Sequence, residues 1–477
     1  MLHIYNSLSR KKEKFVPIEA GKIGLYVCGM TVYDLCHLGH ARVLVVFDMA
    51  VRYMRFLGYE VNYVRNITDI DDKIIERANL NKEDYAALTA RFIEAMHEDS
   101  QMLNVLPPDI EPRATGHIDD IINMIQQLED KGFAYQGDLG DVYYRVREFK
   151  NYGKLSGKNI DELHVGARVQ KDDDKEDPVD FVLWKRAKPG EPFWPSPWGD
   201  GRPGWHIECS AMSTQCIADH FDIHAGGMDL QFPHHENEIA QSEAATGCGF
   251  ANVWMHNGYV QIDKEKMSKS LGNFFTIREI LAQDARAERM GEVIRFMMLS
   301  SHYRSPLNYS GEALENAHAA LDRIYKLADR LIQENIDATM PAGDNPWMER
   351  FKHAMSDDFN TPEALAVLFD VVRAINKQLD SELEGEQEVA AFDQICSVLG
   401  IAYQGPAKFL GTSIDDQQAI IAGELSAAEV HALLEERSAA KIDKNWARAD
   451  EIRDHLVAIG ISIEDKPGGA FSWSLKR

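Results

Sequence analysis

Cysteines and long apolar runs are both scarce in this chain of 477 residues. No stretch approaches the roughly 18 consecutive apolar residues that a membrane-spanning helix needs, and residues 1–14 do not have the pattern of a signal peptide. The six cysteines follow no spacing that is typical of a disulfide framework. We therefore expect a cytoplasmic protein, because a reducing compartment suits free thiols, and no membrane partner.

Basic residues are also in deficit, with 51 Lys and Arg against 76 Asp and Glu and a formal net charge of −25. The negative net charge argues against binding to nucleic acid through overall charge, although it is compatible with local basic patches. The apolar content of 45% and the charged content of 27% are typical of a globular protein. The length is sufficient for two to four domains with their own cores.

The most informative stretch is residues 28–42, CGMTVYDLCHLGHAR. It follows an apolar run, 23–27, that predicts a buried strand, and it precedes residues 43–57, whose apolar side chains recur at helical spacing. A helix start exposes unpaired N–H groups and carries partial positive charge, which suits a phosphate. His37 and His40 add donors there, and Gly39 allows close approach of the backbone. The stretch predicts a phosphate-binding turn between a strand and a helix.

The order strand, helix, strand and polar loop over residues 23–73 favours a doubly wound parallel sheet. In such sheets, ligands bind at the carboxyl ends of the strands. An inserted β-rich module with long loops is expected over 133–200. The other elements that we expect, in chain order, are a strand at 60–65, a polar loop at 66–73, helices at 83–104, 117–131 and 204–216, a strand at 221–224, a helix at 233–246, strands at 253–257 and 259–263, helices throughout 311–399, a linker at 402–418, helices at 427–439 and 443–458, and a hairpin around 467–469.

A second motif, Lys-Met-Ser-Lys-Ser, occupies residues 266–270 in a loop that also contains Gly272. Phosphoryl and nucleotidyl transfer depend on positioning and on neutralising developing charge. Two histidines and the two lysines, Lys266 and Lys269, would surround the triphosphate of ATP. The alternative for each lysine is an ordinary solvated side chain.

Candidate zinc ligands are Cys28, Cys209, His234, His235 and Glu238, which supply the thiolate, imidazole and carboxylate groups of zinc sites. His234 and Glu238 are four residues apart on a predicted helix and share one face. His235 and Glu238, three apart, could also meet. Because there is no Cys-x-x-Cys pair, the residues alone leave open a second interpretation, two buried cysteines and a surface His-His-Glu group.

The order and separation of the two motifs resemble those of the class I aminoacyl-tRNA synthetases. Essentially the whole chain is similar to the cysteinyl-tRNA synthetases in particular, with Leu38 as a departure where the class pattern often has Ile. The residues that carry this resemblance are 26–34, 37–40, 66–74, 204–210, 224–230, 232–238, 266–270 and 357–362.

The resemblance implies that Cys28, Cys209, His234 and Glu238 bind one zinc ion per chain, and that the metal binds the thiolate of substrate cysteine. An apolar pocket separates cysteine from serine by only about 1–3 kcal/mol, whereas zinc favours a soft thiolate over a hydroxyl. Four protein ligands usually make a closed structural site. We therefore expect the thiolate to enter as a fifth ligand or to displace a weakly held one.

The resemblance also implies the remaining site residues. The catalytic residues would be His37, His40, Lys266 and Lys269. ATP, a substrate that enters with Mg²⁺, would be bound by Thr31, His37, Gly39, His40, Gly227, Asp229, Lys266, Ser268 and Lys269. The cysteine pocket would be lined by Thr68, Trp205 and His224.

A C-terminal basic stretch is the candidate tRNA contact, since this family reads the anticodon with a small C-terminal domain. Unstacked bases need stacking surfaces as well as polar contacts. The candidates are Lys441, Lys444, Arg448, Arg453 and Trp473. The alternative is a salt-bridged exposed helix, because acidic residues lie between the basic ones.

The fold class is predicted as α/β, a doubly wound, Rossmann-like parallel-sheet catalytic domain with an inserted connective module, followed by an α-helical bundle and a small C-terminal α/β domain. The predicted domains are the first half of the catalytic domain, 1–125, the connective module, 126–200, the second half with the Lys-Met-Ser-Lys-Ser loop, 201–310, the helical bundle, 311–401, and a linker with the anticodon-binding domain, 402–477.

The function that we expect is two-step ligation of L-cysteine to tRNA(Cys), with ATP-dependent formation of cysteinyl adenylate followed by transfer to the 3′-terminal ribose. The expected partners are tRNA(Cys), L-cysteine and ATP, and the chain is expected to be a monomer. One alternative is a cysteine ligase with an amino-sugar inositol acceptor, which would not need the C-terminal domain. The other is a non-catalytic RNA-binding paralogue, which should have lost part of the ATP machinery.

Overall fold

The computed structural model describes residues 1–161, 174–262, 265–266, 273–336, 345–381, 386–411, 427–442, 445–458, 461–465 and 471–475. The chain divides into two compact units. The first comprises Met1–Ala317, Asp344–Phe369 and Val398–Ile401, and the second comprises His318–Gly343, Asp370–Ser397 and Ala402–Arg477.

The strands are β1 (His3–Asn6), β2 (Lys11–Lys14), β3 (Lys22–Val27), β4 (Glu60–Arg65), β5 (Ala134–Gln136), β6 (Val142–Tyr144), β7 (Phe181–Arg186), β8 (Gly201–Pro203), β9 (Phe221–Gly227), β10 (Ala251–Asn257), β11 (Val260–Ile262), β12 (Glu265–Lys266), β13 (Leu307–Tyr309), β14 (Ile461–Asp465) and β15 (Phe471–Leu475).

The helices are α1 (Leu38–Phe56), α2 (Asp72–Asn81), α3 (Tyr85–Met102), α4 (Ile118–Asp130), α5 (Trp205–Cys216), α6 (His234–Thr246), α7 (Ile277–Leu281), α8 (Ala287–Leu299), α9 (Gly311–Gln333), α10 (Pro346–Ser356), α11 (Thr361–Leu379), α12 (Glu386–Leu399), α13 (Pro406–Leu410), α14 (Ala427–Ile442) and α15 (Trp446–Ala458). Among the described residues, no helix has both the length and the apolar character needed to cross a membrane.

A parallel four-stranded sheet in the order β10-β9-β3-β4 forms the centre of the first unit. Strand β3 is buried over most of its length, as the apolar run predicted. Helix α1 follows β3 and helix α6 follows β9, so both helices begin at the carboxyl edge of the sheet. Val27 is paired with Ala225 at this edge. The predicted doubly wound, Rossmann-like sheet is therefore confirmed, and it brings two helix starts together.

Several element boundaries differ from those predicted. Helix α1 begins at Leu38, five residues before the apolar stripe, because the side chain of His37 accepts hydrogen bonds from the first-turn N–H groups. Strand β9 continues to Gly227, three residues beyond the predicted end. The expected linker contains helix α13, where Phe409 stacks on Tyr325 with ring centroids 3.9 Å apart. That segment was predicted wrongly because a five-residue helix has too little apolar periodicity to be recognised.

The inserted module is a four-stranded antiparallel sheet in the order β5-β6-β7-β8. A further small sheet, β12-β11-β13, joins the strand that ends at Lys266 to residues 307–309, more than forty positions later. The sequence analysis did not predict β13. In the second unit, α14, α15 and the predicted β14–β15 hairpin enclose a small core that includes Leu434, Ile452 and Ile461.

Candidate metal centre and nucleotide-binding turn

Four of the five candidate zinc ligands converge at the carboxyl edge of the central sheet. Cys28 follows β3, Cys209 lies on α5, and His234 and Glu238 lie on the first turns of α6. One ligand atom from each residue lies within 4.8 Å of the others, and all four side chains are buried. The group supplies two sulfurs, one imidazole nitrogen and one carboxylate oxygen, which is a standard set of zinc ligands.

Glu238 occupies the middle of this group. Its Oε1 lies 3.0 Å from His234 Nε2 and 3.4 Å from Cys28 Sγ. Its Oε2 lies 2.8 Å from His224 Nε2, and the carboxylate is 0% exposed. Because a buried carboxylate is costly without compensating charge or donors, this packing favours a cation at the centre of the group.

The titration behaviour of the group also suits a metal site. Burial, together with Cys209 and Glu238, raises the pKa of the Cys28 thiol well above its usual range. Burial lowers the pKa of His234, which keeps the imidazole neutral. A neutral imidazole is ready to bind a metal, whereas the thiols release their protons when a metal binds.

His235 lies beside the group but makes different contacts. Its Nε2 is 4.0 Å from Glu238 Oε1, and its Nδ1 is 2.9 Å from His256 Nε2. His256 Nδ1 in turn lies 2.8 Å from Ser7 Oγ. His235 forms a second potential ligand group with Cys28 and His224, without Cys209 or Glu238. The geometry therefore favours His234 over His235 as the partner of Cys209.

The three residues of the expected cysteine pocket have different surroundings. The Trp205 ring stacks on His234, with centroids 4.3 Å apart, and is 38% exposed. Thr68 is buried and donates a hydrogen bond from its hydroxyl to Glu208 Oε2 at 3.2 Å. His224 is 0% exposed and stacks on Trp254. His224 therefore lies behind Glu238 and orients it.

Glu208 and Gly29 are two residues of this region that the sequence analysis missed. Burial raises the pKa of the Glu208 carboxyl well above its usual range. A Cβ at Gly29 would lie 1.7 Å from the carbonyl oxygen of Asn66, and the Gly29 N–H donates to Asn66 Oδ1 at 2.8 Å. Only glycine therefore fits between the turn and the loop after β4. No local pattern indicates either role, because both depend on residues distant in sequence.

The two histidines of the turn cap the start of α1 reciprocally. His37 Nδ1 accepts from the N–H groups of Gly39 at 3.0 Å and His40 at 3.4 Å. His40 Nδ1 accepts from the N–H of His37 at 3.3 Å, and the two rings stack with centroids 3.6 Å apart. Since each Nδ1 is an acceptor, each neutral imidazole carries its proton on Nε2. The helix start thus carries two Nε2–H groups, while the backbone N–H groups of Gly39 and His40 are engaged by the His37 side chain.

The segment that follows the second motif is bound to this turn. Leu38 N–H donates to Phe275 O at 3.2 Å, and Ile277 N–H donates to Cys36 O at 2.9 Å. The Phe274 ring contacts His37 edge-on, with centroids 4.9 Å apart. Lys266 ends β12. The Lys266 side chain and the predicted site residues Ser268 and Lys269 lie outside the part of the structure that is described.

The remaining nucleotide candidates lie at the same edge of the sheet. Gly227 ends β9, and a Cβ there would lie 2.5 Å from Asp229 Oδ1, so the glycine leaves room for this carboxylate. Thr31 pairs with Thr68 through the backbone, where Val32 N–H donates to Thr68 O at 3.2 Å. The turn and the loop after β4 therefore form one hydrogen-bonded surface.

The tRNA candidates in the second unit are partly engaged within their own domain. Arg448 pairs with Glu436 and Glu451, and Arg453 pairs with Asp450 and Asp454. Lys441 lies in the last turn of α14, and Lys444 lies outside the described residues. The Trp473 ring packs against the small core of this domain. Trp446, which the sequence analysis missed, is 60% exposed at the start of α15.

Comparison with known proteins finds similarity to aminoacyl-tRNA synthetases along nearly the whole chain. Residues 14–319 match the family described as the tRNA synthetases class I (C) catalytic domain, residues 350–404 match the DALR domain, and residues 424–472 match the cysteinyl-tRNA ligase anticodon binding domain. The chain is 58% identical over 473 residues to the cysteine-tRNA ligase of Methylococcus capsulatus, covering 98% of this chain and 99% of that protein. It is 56% identical over 475 residues to that of Ectopseudomonas mendocina, covering 99% of both.

A solved structure of lower identity shares the fold. Methionyl-tRNA synthetase of Mycobacterium tuberculosis, in complex with methionyl-adenylate, aligns with a TM-score of 0.58 at 14% identity, over 84% of this chain and 96% of that one. The matched catalytic domain and the near-complete coverage of close relatives agree with the geometry of the sheet and its motifs. The chain belongs to the cysteine-tRNA ligase family of class I aminoacyl-tRNA synthetases.

Proposed function

We propose that this protein ligates L-cysteine to tRNA(Cys) in two ATP-dependent steps and selects its amino acid with one zinc ion. The observation that supports this most directly is the buried group of Cys28, Cys209, His234 and Glu238 beside a helix start with two histidine donors. One turn of eight residues, 29–36, separates Cys28 from His37. Thiol recognition and phosphate binding would thus occur at neighbouring positions of one surface.

Zinc would be held by the two thiolates, the His234 imidazole and the Glu238 carboxylate, and when bound it supplies affinity for the substrate thiolate. The chain's own contribution is orientation. His224 donates to Glu238 from behind, and Trp205 stacks on the ring of buried His234. Such outer contacts fix the direction of metal ligands. Serine would be rejected because a hydroxyl is a weaker ligand for zinc than a thiolate.

In the first step, a carboxylate oxygen of cysteine forms a bond to the α-phosphorus of ATP while the bond to the β-phosphate breaks and pyrophosphate leaves. The Nε2–H groups of His37 and His40 and the N-terminus of α1 would stabilise charge on the phosphates. Thr31 and Gly39 would contact the nucleotide, and Mg²⁺ would accompany ATP. Lys266 and Lys269 would neutralise charge on the leaving pyrophosphate, and Ser268 would donate a hydrogen bond to it.

In the second step, the terminal ribose of tRNA, through its 2′-hydroxyl, attacks the carbonyl carbon of the adenylate and AMP leaves. Gly227 and Asp229 would hold the adenylate ribose, since an exposed carboxylate can accept from both hydroxyls. Thr68, supported by Glu208, would contact the substrate cysteine together with Trp205.

In the anticodon-binding domain, Trp446 is the best-placed stacking surface, because its ring is exposed whereas Trp473 packs against the domain core. Base stacking on an aromatic ring contributes about 1–3 kcal/mol per base. Lys441, Lys444, Arg448 and Arg453 would supply phosphate contacts, which requires the two arginines to exchange their present acidic partners for phosphate. The protein would act as a cytoplasmic monomer.

The two alternatives are less well supported. A ligase with an amino-sugar inositol acceptor has no need of the anticodon-binding domain that residues 424–472 match. A non-catalytic paralogue has no need of the four convergent metal-binding groups.

The test is cysteine-dependent ATP–pyrophosphate exchange followed by transfer to purified tRNA(Cys). The parent protein should perform both, with one bound zinc per chain. Cys209→Ser should lose zinc and exchange activity, whereas Cys216→Ser, on the same helix but outside the metal group, should retain both. Exchange without transfer would favour the alternative ligase. Full cysteine activation by a zinc-free protein would overturn the metal assignment.

A further inference from the structure

Asp358 and Phe359 form a strained and deeply buried corner between α10 and α11. Both have left-handed backbone conformations, with φ of 64° and 52°, and their exposed fractions are 1% and 0%. Asp tolerates this conformation, but a bulky residue such as Phe rarely adopts it. Strain of this kind persists only where surrounding contacts impose it, and it is often found at functional positions.

The contacts that impose it converge on the Asp358 carboxylate. Oδ1 accepts from the N–H of Tyr5 at 2.8 Å and from the hydroxyl of Tyr303 at 2.8 Å. Oδ2 accepts from Arg304 Nε at 2.7 Å, and His302 Nε2 lies 3.7 Å away. The Arg304 guanidinium also lies over the Tyr5 ring, 4.3 Å from its centroid. One carboxylate thus fixes both β1 and the segment 302–304.

The segment 302–304 holds the chain where it leaves the central sheet. Gly258, directly after β10, donates its N–H to Tyr303 O at 2.8 Å. A Cβ at Gly258 would lie 2.4 Å from Ser305 O, so the two backbones are in direct contact. Leu307 N–H then donates to Tyr259 O at 2.9 Å. The chain therefore enters β11 along a path that this segment defines.

Strand β11 connects that segment to Lys266 through backbone pairing. Val260 pairs with Leu307 and Ile262 with Tyr309 in the parallel β11–β13 ladder. On its other side, Gln261 of β11 pairs with Lys266 of β12. From Asp358 to Lys266 the path consists of hydrogen bonds and backbone ladders between described residues, without a gap.

We propose that Asp358 is a positioning residue for the ATP-dependent step, acting through the segment 302–304 and the β13–β11–β12 sheet on the position of Lys266. The proposal rests on the proposed role of Lys266 at the triphosphate. It predicts that Asp358, which belongs to a different part of the sequence from both motifs, affects the use of ATP more than the binding of cysteine.

The sharpest perturbation is Asp358→Asn. Asparagine also tolerates a left-handed backbone, and its carbonyl oxygen can still accept from Tyr5 and Tyr303. Its amide nitrogen, however, would face Arg304 Nε, so that two donors oppose each other. The matched control is Asp357→Asn, because this neighbouring carboxylate is 49% exposed and pairs with Lys12 on the surface. A second variant, Tyr303→Phe, removes one donor without changing the backbone.

Pyrophosphate exchange should be measured on the zinc-loaded full chain with ATP and cysteine varied separately. Asp358→Asn should lower kcat/KM for ATP by about tenfold to a hundredfold, the range expected for misplacement of a catalytic group by a distant change. KM for cysteine and zinc content should stay within about twofold of the parent. Tyr303→Phe should act in the same direction with a smaller effect, and Asp357→Asn should have none.

A double variant separates positioning from a general structural role. In a Lys266→Ala background, Asp358→Asn should reduce kcat/KM for ATP by less than about a further twofold, because the group that it positions is already absent. Effects that multiply in full, or equal losses for ATP and cysteine, would overturn the proposal. If Asp358→Asn does not fold, Tyr303→Phe decides by the same criteria. A Lys266→Ala variant with normal use of ATP would instead overturn the role of Lys266 itself, and the inference with it.

Discussion

Acid should destabilise the first unit because His256 is held neutral inside it. The imidazole is buried in β10, between His235 and the Ser7 hydroxyl. Burial, with a smaller effect of nearby His224, lowers the pKa of His256 from 6.5 to about 3. The unfolded chain therefore binds a proton between these two values that the folded chain does not bind, so stability falls as pH falls below about 6.5.

The size of the effect follows from the shift. Each unit between the pH and the unfolded pKa costs about 1.4 kcal/mol while the folded group stays neutral. At pH 5.0, about 1.5 units below the unfolded value, the contribution of His256 to the loss of stability is about 2 kcal/mol. At pH 7.5 it is close to zero.

The assay is urea unfolding of the parent and His256→Asn at pH 7.5 and pH 5.0, followed by near-ultraviolet circular dichroism. The variant should be less stable at pH 7.5, but its loss of stability between the two pH values should be about 2 kcal/mol smaller than that of the parent. The comparison variant is His97→Asn, which removes a half-exposed surface histidine. Equal losses for the parent and His256→Asn would refute the reasoning.

Three other perturbations follow from the site. Gly29→Ala should lower both zinc content and exchange activity, because its Cβ would lie 1.7 Å from Asn66 O, whereas Gly116→Ala, with open space around it, should change neither. Glu238→Gln should weaken zinc binding in a chelator competition by at least about a hundredfold, since it changes a ligand and not only its outer support; an unchanged affinity would exclude Glu238 as a ligand. Trp446→Ala should lower kcat/KM for tRNA by about fivefold to a hundredfold, the equivalent of about 1–3 kcal/mol, with normal exchange; an effect of Trp473→Ala alone would contradict the assignment.

The parallel sheet and the turn could be predicted because their signals are local. Apolar periodicity identifies β3 and α1, and the His37-x-Gly-His40 motif lies between them. The helical spacing of His234 and Glu238 placed two candidate ligands on one face. The structure brings Cys28 and Cys209 next to these two residues. The sequence spacing alone could not establish this convergence.

The remaining features depend on contacts between distant residues, and no local pattern encodes them. The pairing of β13 with β11 joins segments more than forty residues apart. The placement of His224 behind Glu238 depends on the packing of β9 against α6. The proposed role of Asp358 depends on contacts with β1 and Arg304, which are far apart in the sequence.

Zinc X-ray absorption spectroscopy tests the central claim, that this buried group binds zinc and that zinc binds the substrate thiolate. The zinc-loaded protein should show two sulfur ligands at about 2.3 Å, from Cys28 and Cys209, and Cys209→Ser should reduce or abolish this signal. Addition of L-cysteine should raise the count to three sulfurs, whereas L-serine should leave it at two. A count that stays at two with saturating L-cysteine would contradict the account.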